Sequence, residues 1–520
     1  MASMLAPQQV KSRLAEQVEM ALIDVREHGE YGERHPFHSV NIPFSRFELE
    51  LSTLVPNFEV MLVLFDEADE GRAQQCAQAA QHLGYRSVFV MSGGALGWQR
   101  AGYTLFSGVH VPSKTFGELV EHHFHTPSIS AKTLAEWQAQ NKRLTLLDGR
   151  TEQEYHQRAI PHAHSCPNGE LALRANTMIV DQQAPVVIHC AGRTRSIIGA
   201  ETLRQLSPNL QVYALENGTQ GWELAGLKVA EGLTDYYPQD VQAASAQVSS
   251  AQQWALRQGA RPLSIEAVKV WLQDPARTTY VLDVRTQKEY QAQPFSGAVH
   301  APGGQLIQAT DLWVGVRHAR IILLSDDGCR APVVAGWLGL MGYTTAWFDG
   351  SYQQWQDEQP CRDLKRPVQA RVNWPPLNPQ DVFVHNLQLL DTRTSSAFQQ
   401  GHYAGSVWVN RSSLASQVRT ITPKQALAIV ASSPEHAELV AAPLREAGFE
   451  VAGWLPFSLN QTTLKGVSSV AELPRHERID YLFFVHDRHQ GNLKAAEQYL
   501  AWEIGLVKQL DPQERASFRL

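Results

Sequence analysis

Apolar and polar positions alternate along this chain at two scales. Short runs of four or five Val, Ile and Leu residues are separated by longer stretches that read as amphipathic helix. Runs that short, apolar throughout rather than at every second position, predict strands buried on both faces of a mostly parallel sheet, with helices in the crossovers. The pattern also repeats. ALIDVREHGEY from Ala21, TLLDGRTEQEY from Thr145, YVLDVRTQKEY from Tyr280 and QLLDTRTSSAF from Gln388 are one phrase: an apolar run ending in Asp-x-Arg, with an aromatic five residues after the Arg. The aspartates Asp24, Asp148, Asp283 and Asp391 are 124, 135 and 108 residues apart, which is the length of whole domains.

Each unit continues alike. A second apolar run ends just before Asp66, Cys190, Asp326 and Ser432, which stand 42, 42, 43 and 41 residues after the first aspartate. A helix-like stretch comes next, then a third apolar run leading to Gly and Trp (Gly94 and Trp98, Gly218 and Trp222, Gly350 and Trp355, Gly453 and Trp454). The expected fold class is α/β, with four tandem domains at 1–111, 112–238, 250–370 and 375–520. The breaks fall near Val111-Pro-Ser, in the Gln/Ala/Ser stretch from Gln239, and near Trp374-Pro-Pro. The last unit carries an extension, read as a strand at YLFFV from Tyr481 and a helix from about Asn492 to Lys508.

Composition adds exclusions. Of 520 residues, 43% are hydrophobic and 19% charged, an ordinary globular balance. The net charge of −7 with no basic block argues against nucleic acid, and the absence of a run of 18 apolar residues argues against a membrane span. The first residues, MASMLAPQQVKSRLAEQ, lack the zones of a signal peptide. Five scattered cysteines without a CxxC fit neither a disulfide framework nor a thiolate zinc site, so a reducing, cytoplasmic setting is expected.

Cys190 alone stands directly after a unit's central run, in His189-Cys190-Ala191-Gly192-Arg193-Thr194-Arg195-Ser196. The carboxyl ends of parallel strands are where α/β folds keep their chemistry. Strand, tight loop and helix make a cradle of backbone N–H groups for an anion, with Ser196 as a candidate cap and Gly192 supplying backbone freedom. The helix N-terminus, Arg193 and Arg195 favour thiolate over thiol, and a thiolate above such a cradle can attack sulfur or phosphorus in an anionic substrate.

On these residues the chain resembles a tandem of four rhodanese-family domains, with Cys190-AGRTR-Ser196 as its one intact active-site loop. The resemblance implies a thiosulfate-type sulfurtransferase: Cys190 takes the outer sulfur of thiosulfate or of a persulfide donor, releases sulfite, and passes the sulfur to cyanide or a thiol acceptor. It implies that Ala191, Gly192, Arg193, Thr194, Arg195 and Ser196 bind the donor, and that no metal or organic cofactor takes part. The loop runs six residues from Cys190 to Arg195, the length of sulfur-transferring members rather than of the related phosphatases. Its partners would be a small anionic donor and a thiophilic acceptor or acceptor protein. The alternatives are a persulfide carrier or scaffold serving a protein partner, and a phosphatase on the same fold.

The remaining candidates have blander readings. Asp66 and Asp326 stand in the cysteine slot and cannot hold a persulfide, and Ser432 stands there in the fourth unit, so these units read as catalytically silent. Cys329, three residues past its slot, reads as a loop thiol, Cys166 as a small buried hydrophobe, and Cys76 and Cys361 carry no functional argument. His122, His123 and His125 read as a solvated inter-domain loop rather than a metal site. His189 is either a tuner of the thiolate or a strand-end residue bonded to backbone. The recurring Asp-x-Arg reads as a buried structural pair.

Overall fold

The computed structural model describes residues 2–360, 374–417, 425–458, 467–468, 473–489 and 492–520; Cys361 lies outside them. The repeated runs become parallel sheets. In the second repeat the strand order is Ser128–Ile129, Val212–Leu215, Val186–His189, Thr145–Asp148, His164–Ser165, every pairing parallel. Repeats one and three have the same five-stranded order, and repeat four forms a four-stranded sheet. The lead strands Ser3–Leu5, Ser128–Ile129 and Arg261–Leu263, each pairing with its repeat's last long strand, are too short to register as apolar runs.

The continuous apolar runs are central because both faces of the sheet are covered. In the second repeat Leu146, Val187, Leu215 and Trp222 pack in a core on one face, while Leu147, Ile188, Ala200 and Leu203 pack on the other. Adjacent strand residues point to opposite faces, so Leu146 and Leu147 serve different cores. Cys166 is in the second of these, fully buried, and burial pushes its thiol far above the usual range. The recurring tryptophans close each repeat: Trp98, Trp222, Trp355 and Trp454 donate their indole N–H to the carbonyls of Thr104, Lys228, Ser296 and Trp374.

The chain forms two compact units. One comprises Met1–Ser12, Ala21–Gly108 and Leu364–Phe483; the other comprises Arg13–Met20, Val109–Asp363 and Phe484–Leu520. The first holds the sheets of repeats one and four, the second those of repeats two and three. Among the described residues no helix is long and apolar enough to cross a membrane.

Three sequence expectations need correction. Val111-Pro-Ser, the expected break, opens the helix Val111–Phe124, and Pro112 is tolerated because the first turn needs no N–H donor there. His122 and His123 therefore lie on that helix, with His125 as its left-handed C-cap, and the described residues contain no cluster of His, Cys, Asp and Glu able to hold a metal. The Gln/Ala/Ser stretch folds from Ser245 into the helix Ser245–Arg257, as its helix-forming composition and the buried Trp254 allow. YLFFV is not a strand: Phe483–His486 is a single helical turn. Its rings pack locally, Tyr481 against Phe483, with Arg478 stacked over Tyr481 and Arg475 over Phe483.

The Asp-x-Arg phrase is a buried fork in every repeat. Arg26, Arg150, Arg285 and Arg393 each donate Nε and Nη2 to the aspartate two residues earlier, and Nη2 also reaches the carbonyl eight residues on (Arg34, Arg158, Gln293, Gly401). The fork thereby ties the end of its strand to the C-terminal end of the short helix that follows. Removing one charge of such a pair leaves the other buried and uncompensated, at about 3–5 kcal/mol. Asp283→Asn, in a repeat without a slot cysteine, is expected to lower the unfolding free energy of its unit by about 3 kcal/mol, read by urea titration; a loss below about 1 kcal/mol would show the pair to be dispensable.

Candidate active site

The strand Val186–His189 is buried throughout and delivers Cys190 into the protein, where the residue keeps only 2% of its surface exposed. The next helix starts at Thr194, with Arg193 as its N-cap residue, so Ser196 is not the cap. It lies in the first turn instead and donates its hydroxyl to Cys190 Sγ at 3.2 Å. The loop is held from below by the helix Gly218–Leu224: the Thr219 amide donates to the Cys190 carbonyl at 2.8 Å and the Gln220 amide to that of Ala191 at 3.1 Å. This explains the glycine of the Gly-x-x-x-Trp phrase. Gly218 has φ +51°, and a Cβ on it would stand 2.1 Å from the Cys190 carbonyl oxygen.

Gly192 has a different reason from the expected one. Its backbone is not in the left-handed region, but a Cβ there would meet Glu503 Oε2 at 3.2 Å and Leu500 at 3.7 Å. Both belong to the helix Leu493–Gln509, which covers the loop. Thr194 donates its hydroxyl to Glu503 Oε1 at 2.7 Å, and Lys114 Nζ lies 3.2 Å from the same oxygen. Burial alone would raise the Glu503 carboxyl; the Lys114 ammonium overrides it and holds the group ionised. Nothing in the sequence marks Glu503 as part of this site.

Both loop arginines are already paired. Arg193 holds Glu118 through Nε at 2.7 Å and Nη2 at 2.9 Å, and also Glu121. Arg195 forms a two-pronged pair with Glu154, at 2.7 and 2.8 Å. Burial resists ionisation of Glu154, but the Arg195 guanidinium outweighs it and keeps the carboxyl well below the usual range. The same pair recurs where no cysteine stands: Arg72 with Glu30 at 2.7 and 3.0 Å, and Arg330 with Glu289 at 2.7 and 3.0 Å. The signal was in the sequence, since Glu30, Glu154 and Glu289 each stand six residues after the repeat's first aspartate; the fourth repeat has Ala397 there.

The sheet register places Asp66, Ser325 and Ala431 where Cys190 stands; the expected slot residues Asp326 and Ser432 each lie one position later, level with Ala191. Asp66 accepts the amides of Asp69 and Ala73, at 2.9 and 3.1 Å, so the first loop neutralises its own anion cradle. In the third repeat Asp327 accepts the amides of Cys329 and Arg330, both at 2.8 Å. Cys329 is the N-cap residue of the helix Arg330–Leu340, fully buried, with its thiol donating to Asp327 at 2.9 Å. Burial and the neighbouring Asp327 charge push that thiol far up, which matches an unreactive group. Ser432 pairs with His436 Nδ1 at 3.1 Å. Beside the active loop, a cavity of about 670 Å³ is lined by Gly149, Arg150, Asn168 and Glu170 of the second repeat and by Thr286 and Gly303 of the third.

A family of proteins accounts for this architecture. The rhodanese-like domain model matches residues 6–101, 130–225 and 264–358, and the chain belongs to the rhodanese-like family. Among solved structures, one described as a thiosulfate sulfurtransferase from Pseudomonas aeruginosa is 33% identical, with a TM-score of 0.91, covering 100% of this chain and 99% of that one. A rhodanese-related protein from Thermoplasma volcanium is 29% identical over 20% of this chain and 97% of its own, with a TM-score of 0.18. No curated protein matches the chain.

His189, fully buried, has Nε2 3.6 Å from Asp148 Oδ2, beyond hydrogen-bond distance. Burial lowers its pKa to about 4, the Asp148 charge only partly opposing, so the ring is neutral at pH 7. In the unfolded chain it takes a proton near pH 6.5. The unfolded state therefore binds more protons between pH 6.5 and 4, and this residue removes stability as pH falls through that window, on the order of 3 kcal/mol in all. A His189→Asn variant is expected to lose less stability than the parent between pH 6.5 and 4 in paired urea titrations; parallel curves would refute the neutral, buried state.

Proposed function

We propose that this protein is a sulfurtransferase of the thiosulfate type whose second repeat carries the reaction on Cys190. The Cys190 thiolate attacks the outer sulfur of thiosulfate, the sulfur–sulfur bond breaks, and sulfite leaves with its electron pair. The resulting persulfide then gives its outer sulfur to cyanide or a thiol, regenerating the thiolate. A persulfide can replace thiosulfate as donor, with a thiolate as the leaving group.

One observation carries the reading. Among the described residues Cys190 is the only cysteine placed directly after a central strand, at the mouth of a loop and helix N-terminus, while the corresponding slots hold Asp66, Ser325 and Ala431. The Ser196 hydroxyl is positioned to donate to a thiolate on Sγ. The full-length similarity to a protein described as a thiosulfate sulfurtransferase supports the same donor. Acceptor and setting stay as expected from sequence: a thiophilic small molecule or protein thiol, in the cytoplasm.

A second reading rests on the carboxylates of Asp66 and Asp327, which close their own cradles. Repeats so arranged fit a scaffold, and the chain would then deliver sulfur stoichiometrically to a docked protein.

Intact-protein mass after brief exposure to thiosulfate tests both. The wild type should gain one sulfur, about 32 Da, lose it to cyanide with turnover, and Cys190→Ser should gain none. A gain without cyanide turnover selects the carrier. No gain with thiosulfate, together with phosphate release from an aryl phosphate, would replace the proposal with the phosphatase reading.

A further inference from the structure

The fork arginines of the four repeats differ at one atom. Each spends Nε and Nη2 on its aspartate and on the carbonyl eight residues on. In the first repeat Nη1 of Arg26 donates to Glu67 at 2.5 Å. In the third, Nη1 of Arg285 donates to Asp326 at 3.0 Å. Glu67 and Asp326 are residues of the cysteine loop. The backbone confirms their alignment with the second repeat: the Leu96 amide donates to the Glu67 carbonyl as the Gln220 amide donates to that of Ala191, so Glu67 stands where Ala191 stands. In the third repeat Asp283 pairs with Leu324 as Asp148 pairs with His189, so Ser325 stands where Cys190 stands and Asp326 stands where Ala191 stands. In the second repeat, therefore, the acid is gone, and Nη1 of Arg150 has no hydrogen-bond or ion-pair partner among the described residues, although the side chain is 5% exposed.

Charge says what kind of group belongs there. Glu67 and Asp326 each place a carboxylate, one residue past the cysteine slot, on Nη1 of their fork arginine. Repeats one and three thus hold a permanent anion where the second repeat has only the methyl group of Ala191. Arg193 and Arg195, by contrast, are already committed to Glu118, Glu121 and Glu154. The fourth repeat fits the same rule: Asp391 pairs with Val430, so Ser432 stands where Ala191 stands, uncharged and turned to His436, and the Arg393 guanidinium is stacked 3.8 Å from the Phe457 ring centre.

We propose that Arg150, through its unpaired Nη1, is the substrate-binding cation of the second repeat, donating to the oxygens of the anionic donor and then to the outer sulfur of the Cys190 persulfide. The inference rests on the Cys190 reading above. Arg150 serves two anions at once: Asp148 fixes its plane, and the remaining N–H is left at the place an incoming charge must reach. The carboxylates of Glu67 and Asp326 mark that place in the two repeats whose slots after the central strand hold Asp66 and Ser325 instead of a thiol.

The test uses the full-length protein and thiosulfate, with sulfur loading by intact mass and steady-state cyanide turnover. Ala191→Glu puts a carboxylate where Glu67 stands, and Ala191→Gln is its neutral isostere. The Glu variant should show a KM for thiosulfate at least tenfold above that of the Gln variant. Arg150→Lys keeps a charge that cannot serve both anions, and should raise KM about tenfold with kcat changed less than threefold. The proposal is overturned if the Glu and Gln variants share one KM, or if a folded Arg150→Lys protein keeps the wild-type KM. Should Arg150→Lys not fold, the Ala191 pair decides alone. A wild type that gains no sulfur from thiosulfate overturns the Cys190 reading itself, which separates the two failures.

Discussion

The constraint beneath all four repeats is the buried ion pair between an aspartate at the end of the first strand and the arginine two residues later. Asp24, Asp148, Asp283 and Asp391 are fully buried. A charge in that position is costly unless its partner and hydrogen bonds are fixed, and the planar fork of arginine meets a carboxylate with two parallel bonds. The same guanidinium reaches a carbonyl eight residues on, so one side chain sets the first strand's end against the turn that leads to the sheet edge. The fork does this whichever residue stands after the central strand, and it lets one scaffold hold Cys190, Asp66, Ser325 or Ala431 in the same slot.

Anion binding is the second constraint. A loop leading into a helix presents unpaired N–H groups that favour negative charge. Repeats one and three answer it internally, with Asp66 and Asp327 accepting the loop amides. The second repeat instead leaves a thiol in the slot and surrounds its own arginines with glutamates. Arg193 meets Glu118 and Glu121, Arg195 meets Glu154, and Lys114 meets Glu503. These four acids leave no excess positive charge in the group they form with Arg193, Arg195 and Lys114. Preference for an anionic donor must then come from oriented groups, namely loop amides, the Ser196 hydroxyl and unspent guanidinium N–H, rather than from bulk charge.

What was legible in the sequence is what is local. Apolar runs of four or five residues gave strands, and Asp-x-Arg gave the fork, because both are decided within a few positions. The Cys190 loop was legible for the same reason. The Glu154–Arg195 pair was missed although glutamate recurs six residues after the aspartate in three repeats, since attention to the arginines as ligands hid their partners. The stretch at Tyr481 was misread because β-forming side chains specify a strand only where an edge is open to receive them. The helix from Val111 was hidden by its proline, a residue as much at home in a first turn as in a linker.

The covering of the loop could not have been read locally at all, since Thr194 and Glu503 are 309 residues apart. Glu503 is fully buried, with Oε1 shared by Thr194 and Lys114. A buried carboxylate is tolerable there because Lys114, on the helix Val111–Phe124, supplies the opposite charge. That same helix carries Glu118 and Glu121, the partners of Arg193, so one element ties down both the loop and the helix laid over it. Gly192 then becomes intelligible as clearance beneath Glu503 and Leu500 rather than as a flexible joint. By its contacts the end of the chain belongs to the unit of the Cys190 repeat, not to that of the repeat it comes after in sequence. A thiol with 2% of its surface exposed beneath such a cover is shielded from bulk solvent, which strengthens every oriented dipole aimed at it and, in the proposed reaction, would protect a persulfide on Cys190.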